Sequence, residues 1–439
     1  MVAENCASSL RSVDFGVSAI VANDRGSTKT KLVGDSFTQS FSFLIRCEKP
    51  ECRLPQSPPS SARRAVEDYT IAPTNIPSFT IQLCYRETSP LFASELWYTE
   101  PSSTSLSVPT MATTFLSGAA FGAAMMAASF HNPAIVIAQM KWENFHMAQA
   151  FLAATATSAA SYAIAERLDY VKLKPRSSSP IGLFSTYDGN LIGGTLLGAG
   201  MALSGSCPGT LYPQLAAGVH TGFHALNGAI LGGLLWTGLL SKMVKQNKER
   251  ASITPITVTA NDQLGLSRGV TLFLFETVCL SILAVTTIYT PKFAGAKILG
   301  TAGGIIIGLS QVFSIISRRS MIGISTAYEE FGNYFWWVIK GAEPNTRPMS
   351  YKSILFASGV TAGAWGMLQA VPSLAAAPVF EAPPLFAMAG GALMAIGSRM
   401  AGGCTSGHGI SGMSLLSLSS MITIASAFAG GAAVAPLVY

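Results

Sequence analysis

Charge is what this sequence has least of. Asp, Glu, Lys and Arg make up only 11% of its 439 residues, against 49% hydrophobic residues. A soluble globular domain carries roughly 25% charged residues. The shortage is concentrated after residue 100, where residues 189–241, 298–317, 353–380 and 400–439 hold no charged side chain at all. About 18 uncharged apolar residues suffice to cross a bilayer core of about 30 Å, and a soluble core needs no run as long as 189–241. The sequence is therefore read as an integral membrane protein, with the lipid bilayer as its surroundings. A secretory signal is not found either, since residues 1–10 lack a basic start followed by an apolar core. The net charge of +6 does not point to nucleic acid. Its basic residues sit in short clusters between apolar runs, as cytoplasmic loops of membrane proteins do. A zinc pattern is also missing: Cys47 and Cys52 match no strong spacing and have no histidine nearby. The seven cysteines are an odd number, and those in the polar N-terminal region read as unpaired thiols. No cofactor or metal is expected.

Residues 1–110 are rich in Ser, Thr and Pro and read as a mostly disordered polar region, with weak strand-like runs at 41–45 and 79–84. Residues 111–439 read as an all-α, polytopic transmembrane domain. Nine spans are expected, near 112–130, 145–165, 189–206, 216–240, 269–290, 297–317, 353–371, 384–400 and 413–435. Basic clusters follow the second span (Arg167, Lys172, Lys174, Arg176), the fourth (Lys242, Lys245, Lys248, Arg250) and the sixth (Arg318, Arg319). Two spans separate successive clusters, so all three can face the cytoplasm together, with an internal N-terminus and an external C-terminus. Residues 328–340, with Tyr334, Trp336, Trp337 and Lys340, read as an interfacial element on that side.

The chain also repeats itself, in halves near 112–240 and 269–435. Phe115, Ser117, Gly118, Gly122 and Ala123 recur as Phe356, Ser358, Gly359, Gly363 and Ala364. Gly193, Gly194, Leu196, Gly200, Gly205 and Cys207 recur, each 197 residues later, as Gly390, Gly391, Leu393, Gly397, Gly402 and Cys404. Duplicated transporters place substrate where their repeats meet, at broken helices.

Each cysteine of the second set sits in a helix-breaking motif. Pro208 and Gly209 after Cys207 should end the third span there, with a new helix from about Thr210–Pro213. Around Cys404, five glycines, three hydroxyl residues and His408 lie between Gly402 and Gly412, and a new helix is expected near Ser411. Irregular backbone at membrane depth survives only where it is buried in protein or lines a watery cavity. The N–H groups and dipole of a restarting helix would there suit an anion. Arg399, a charge within an apolar segment, reads either as an attractor of anions at a pore mouth or as a snorkelling side chain. Glu276 reads as structural. His220 and His224, on one helix face, read as packing residues, and a metal site as the weaker alternative.

Cys207-Pro208-Gly209-Thr210, taken with Gly403-Cys404-Thr405-Ser406-Gly407-His408-Gly409-Ile410-Ser411-Gly412, resembles the YeeE/YedE family of sulfur-compound transporters. Gln139-Met140-Lys141, Asn144-Phe145-His146-Met147 and Tyr187-Asp188-Gly189-Asn190 are similar to eukaryotic, fungal-type members, and the likeness covers about 112–435. It implies thiosulfate uptake through an hourglass-shaped helical protein in which cysteines hand the ion across a constriction. On that pattern Cys207 and Cys404 are substrate-contacting thiols. Gly205, Pro208, Gly209, Thr210, Arg399, Gly403, Thr405, Ser406, Gly407, His408 and Gly409 are expected around them. The family's bacterial members carry a further entrance cysteine, which residues 129–133 here lack. The chemistry agrees, because a thiol is polarizable like the terminal sulfur of thiosulfate and backbone N–H groups can hold its oxygens. A lysine in the narrowest part would bind too tightly for rapid release.

Transport rather than enzymatic activity is thus expected, with a cytoplasmic sulfur-accepting protein as a candidate partner. The plasma membrane is the favoured location and an organellar membrane the alternative. Two other readings remain open: a membrane thiol enzyme working through a persulfide, and a channel for a small neutral solute.

Overall fold

In the computed structural model of the chain, residues 108–439 are described except Pro378, and ahead of them the backbone of residues 17–24, 27–34 and 41–45. The chain divides into two units, Met1–Thr99 and Glu100–Tyr439. In the first, β1 (Val17–Asp24), β2 (Ser27–Gly34) and β3 (Phe41–Ile45) form an antiparallel sheet in that order. One of the two strand-like runs of the sequence is therefore a strand. The other, at 79–84, and most of the region expected to be disordered lie outside the described residues.

The described elements of the second unit are helices, with one isolated bridge between Thr259 and Ser417. Its helices are α1 (Val108–Ala127), α2 (Pro133–Met140), α3 (His146–Arg167), α4 (Asp188–Ser204), α5 (Leu211–Ala216) and α6 (His220–Leu235). A π-helical turn, Trp236–Leu240, joins α6 to α7 (Ser241–Ala251). Then come α8 (Ala260–Leu264), α9 (Arg268–Tyr289), α10 (Gly300–Arg318), α11 (Thr326–Ile339), α12 (Lys352–Ala370), α13 (Pro384–Met400) and α14 (Leu418–Val438). Local chemistry sets several of the starts. The Asn132 side chain accepts the Ala134 N–H at 3.0 Å ahead of a proline in the first turn of α2, and Ser267 caps α9 through the Val270 N–H. Both are N-caps that satisfy otherwise orphaned donors.

Every expected span coincides with a helix. Among the described residues, five stretches are long and apolar enough to cross a membrane by themselves: 110–127, His220–Ala251, α9, α10 and α14. The fold of the second unit is thus that of an all-α, polytopic membrane protein. Among the five, the most apolar is α9, and only 17% of its apolar window is buried, whereas half of that of α10 is. A helix facing lipid must be apolar all round, while one enclosed by protein need not be. The short, glycine-rich α4 and α13, which fall below the mark, are of the second kind. Helix α4 lies between α13 and α14, and α13 between α4 and α6.

The repeats meet reciprocally. A Cβ at Gly118 of α1 would collide with the Phe356 carbonyl of α12, and one at Gly359 of α12 with the Phe115 carbonyl of α1. The same exchange holds between Gly193 of α4 and Gly397 of α13, each against the other's carbonyl at 2.6 Å. Backbones this close exclude every residue larger than glycine. The repeated glycines are thus a packing device, as small residues are between membrane helices.

The three basic clusters share one face, as their spacing suggested. In the loop after α3, the Tyr170 hydroxyl donates to the Ile316 carbonyl at 2.7 Å, and the Arg319 guanidinium lies over the Tyr170 ring. Further along that loop, Ser178 donates its N–H to the Ile256 carbonyl and accepts the Ile256 N–H on its hydroxyl. The loop after α3 therefore touches both the end of α10 and the loop after α7.

Candidate substrate path

Both cysteine motifs begin the same way. Helix α4 closes on Gly205 at φ 58°, and α13 is followed by Gly402 at φ 80°. This left-handed geometry costs a residue with a Cβ about 1–2 kcal/mol. The repeated glycine therefore turns the chain off each helix two residues before the cysteine. Past Cys207 the chain makes one turn and α5 begins at Leu211, close to the expected restart. Past Cys404 the expectation of a restart near Ser411 is corrected. A π-helix runs from Ser406 to Gly412, a short 3-10 turn follows, and α14 starts only at Leu418. Glycines at 407, 409 and 412 tolerate the wide turn because they bring no side chains into it. The expected dipole contribution also shrinks. Helix α5 has six residues, too few to align many peptide dipoles, so individual N–H groups remain as donors.

Those donors converge on sulfur. Cys207 is 5% exposed and Cys404 is 0% exposed. The Thr210 N–H donates to the Cys207 sulfur at 3.3 Å, and the Thr210 hydroxyl accepts the Cys207 N–H at 2.6 Å. The Gly209 N–H and the Thr405 hydroxyl act on the same sulfur. Around Cys404 the Ser406 hydroxyl stands 3.2 Å away, and the Ser325 hydroxyl and the Gly407 and Ile324 N–H groups also act on its sulfur. The motifs meet in one small cavity of ≈ 30 Å³, lined by Cys207, Gly209, Thr210, Thr405 and Ser406 among others. Phe121, Met125, Phe130, Met147, Phe151, Ile307 and Ile410 complete its wall. This holds about one water. The Thr405 hydroxyl, 2% exposed, has no partner that meets hydrogen-bond geometry.

Other expected site residues are placed differently. His408 is 1% exposed and both its ring nitrogens are engaged. Nε2 lies 3.0 Å from the Ala401 carbonyl, which can only accept, so Nε2 carries the proton. Nδ1 then accepts from the Ser420 hydroxyl at 2.9 Å. The ring ties the motif to α14 and leaves no free nitrogen to deprotonate Cys404. Arg399 is not a free cation. It forms an ion pair with Glu329 and hydrogen-bonds Thr326, fastening α13 to α11. Glu276 is not explained by Arg268, which pairs instead with Glu166 at 2.6 Å, and one Glu276 oxygen is buried without a partner. His220 is exposed at the start of α6 and His224 half-buried.

Sequence reasoning missed several contributors. Arg176, counted among the loop charges, folds back onto the second motif, where Nε donates to the Gly407 carbonyl and an Nη to the Gly402 carbonyl, both at 2.8 Å. Tyr328 lies beside the first motif, with its hydroxyl 3.5 Å from the Pro208 carbonyl. This corrects the interfacial reading of 328–340. Helix α11 starts buried, at Ala327, Tyr328 and Glu330, and only its later turns carry the exposed aromatics. Ser325 and Ile324 come from the extended stretch before α11, which no motif marked. A buried glutamine also braces the first motif. Gln214 accepts from the Ser206 hydroxyl at 2.6 Å and donates to the Gly205 carbonyl at 3.0 Å.

The duplicated halves of this helical membrane protein thus bring Cys207 from one motif and Thr405 and Ser406 from the other to one cavity, with Cys404 buried beside them in the chain. Its class is therefore that of a membrane transport protein. The family model for sulphur transport matches residues 127–433, and the chain belongs to that family, YeeE/YedE. It is a membrane sulfur-compound transporter. Comparison with individual curated proteins finds no match.

Proposed function

We propose that the protein takes up thiosulfate, or a closely related small sulfur-containing anion, along a path that passes Cys207 and then Cys404. The observation that carries this reading is the shared cavity, with Cys207 from one repeat against Thr405 and Ser406 from the other. Sulfur, methionine and aromatic groups suit the soft terminal sulfur of the ion. Hydroxyls and N–H groups suit its oxygens. No Lys or Arg lines this cavity, so binding there stays weak enough for release. Because the cavity holds about one water, a larger ion passes only when wall residues such as Phe151 and Ile410 move aside.

In this reading nine helices span the membrane, with the basic face toward the cytoplasm by the positive-inside bias. The chain then sits in the plasma membrane, and a cytoplasmic sulfur-accepting protein takes the product. A persulfide enzyme would need an activated thiolate, and His408 has no nitrogen to spare for that. Labelled thiosulfate uptake into proteoliposomes tests the proposal. C207A and C404A should each reduce uptake severely while the protein remains folded, and serine should rescue poorly. Cys279, buried in α9 outside both motifs, supplies the control, and C279A should transport normally. Near wild-type uptake by C207A or C404A would falsify the relay.

A further inference from the structure

A second cavity, of ≈ 180 Å³, opens on the basic face below the Cys404 motif, lined by Lys174, Arg176, Met321, Ser411 and Gly412 among others. Its charged groups are both cations. No carboxylate among the described residues pairs with Arg176 or Lys174. Arg176 uses two of its five N–H donors on the Gly402 and Gly407 carbonyls, and its remaining Nη lies beside Gly407. The first Nη lies beside Gly403, the residue before Cys404. The guanidinium thus lines the cavity and reaches the residue before Cys404, with donors left over. The Ser411 hydroxyl is already committed to the Ile322 carbonyl at 2.7 Å, so the cations are the cavity's free recognition groups.

We propose that this cavity is a discrete anion site, in which Arg176 and Lys174 receive the sulfur-containing oxyanion as it leaves Cys404. The proposal rests on the transport reading above and adds a station to it. A guanidinium grips paired oxygens in a plane, whereas an ammonium on a flexible stem contributes mainly charge. The site should therefore recognise the oxygens of the ion, with sulfate as an adequate mimic. Binding stays reversible because Arg176 is anchored and two of its five donors are spent on carbonyls.

The test is equilibrium binding of labelled thiosulfate to the purified full chain, in a C207A/C404A background that lacks the thiols. Binding should persist there, should be displaced by sulfate, and should weaken about fivefold or more in K174Q, which removes an exposed charge. R176K keeps the charge but loses the planar fork, and should weaken binding comparably without untying the fold as R176Q would. Loss of binding in the cysteine-free background overturns the proposal, because the cavity alone would then hold no ion. So does binding insensitive to K174Q and R176K, or binding that sulfate cannot displace. Uptake by the wild-type chain is measured in parallel. Its absence would sink the transport reading, independently of whether the anion site exists.

Discussion

At the scale of single residues, the two arginines near the second motif have partners that their positions did not suggest. Arg399 lies in an apolar run and Arg176 in a polar loop, so the first drew attention as an anion attractor and the second did not. The loop folds inward, however, and Arg399 meets Glu329. A cation already neutralised by a neighbouring carboxylate offers little to a passing anion, and its removal leaves that carboxylate half-buried and alone. R399Q should therefore lower the amount of folded protein recovered from membranes, and E329Q/R399Q should restore part of it. Size-exclusion recovery in detergent checks this. Normal recovery of R399Q with weakened uptake at low substrate would return Arg399 to the path. His408 carries the same lesson. Its place in the second motif suggested a residue beside the substrate, but Ala401 and Ser420 hold both its nitrogens, facts that no local spacing contains.

At the scale of elements, the loop that carries Arg176 is held down by the start of α4. The Asp188 carboxylate is buried and accepts N–H groups from Ile181, Leu183 and Gly189 at 2.7 Å each, and from Phe184 at 3.3 Å. Asn190, two residues on, accepts the Ser179 N–H at 2.8 Å and donates to the Ala401 carbonyl at 3.2 Å and the Thr423 hydroxyl at 2.9 Å. The Tyr187-Asp188-Gly189-Asn190 string is thus the clasp between this loop, α13 and α14. D188N removes the charge and one of the acceptor oxygens, and should cost about 2–4 kcal/mol, read as a lower midpoint of thermal unfolding in detergent. The loop should also become more accessible to proteolysis near Arg176. A second element-level prediction concerns the α1–α12 seam. Gly122 faces the Val360 backbone and Gly363 the Ala119 backbone. Because backbone rather than a flexible side chain stands in the way, even Gly122→Ala should cost about 1–3 kcal/mol or more. Gly366 of α12, with nothing close to a new Cβ, should accept alanine with little change in the same unfolding measurement.

At the scale of the whole molecule, the sharing of one face by the basic clusters yields a topology test. Single cysteines introduced at Lys172, Lys245 and Arg319 should react with an impermeant thiol reagent from the same side, in a background lacking Cys6, Cys47, Cys52 and Cys84. Labelling of Lys172 and Lys245 positions from opposite sides would overturn the nine-span arrangement. Much of this architecture was legible in the chain itself. Uncharged runs must leave water whatever surrounds them, so the helices and the membrane setting follow from composition. The 197-residue repeat carried its glycines and cysteines to matching helix ends, because the left-handed turn after each helix admits glycine at little cost. What the chain could not show is which distant groups meet. Whether a buried polar atom is free or satisfied depends on partners as far as 231 residues away, as between Arg176 and Gly407. The close approach of α4 to α13, the capture of Arg399 by Glu329 and the delivery of Tyr328 and Ser325 to the two motifs were all decided by tertiary packing. Apolar periodicity says that a face is buried, and only the assembled backbones say against what.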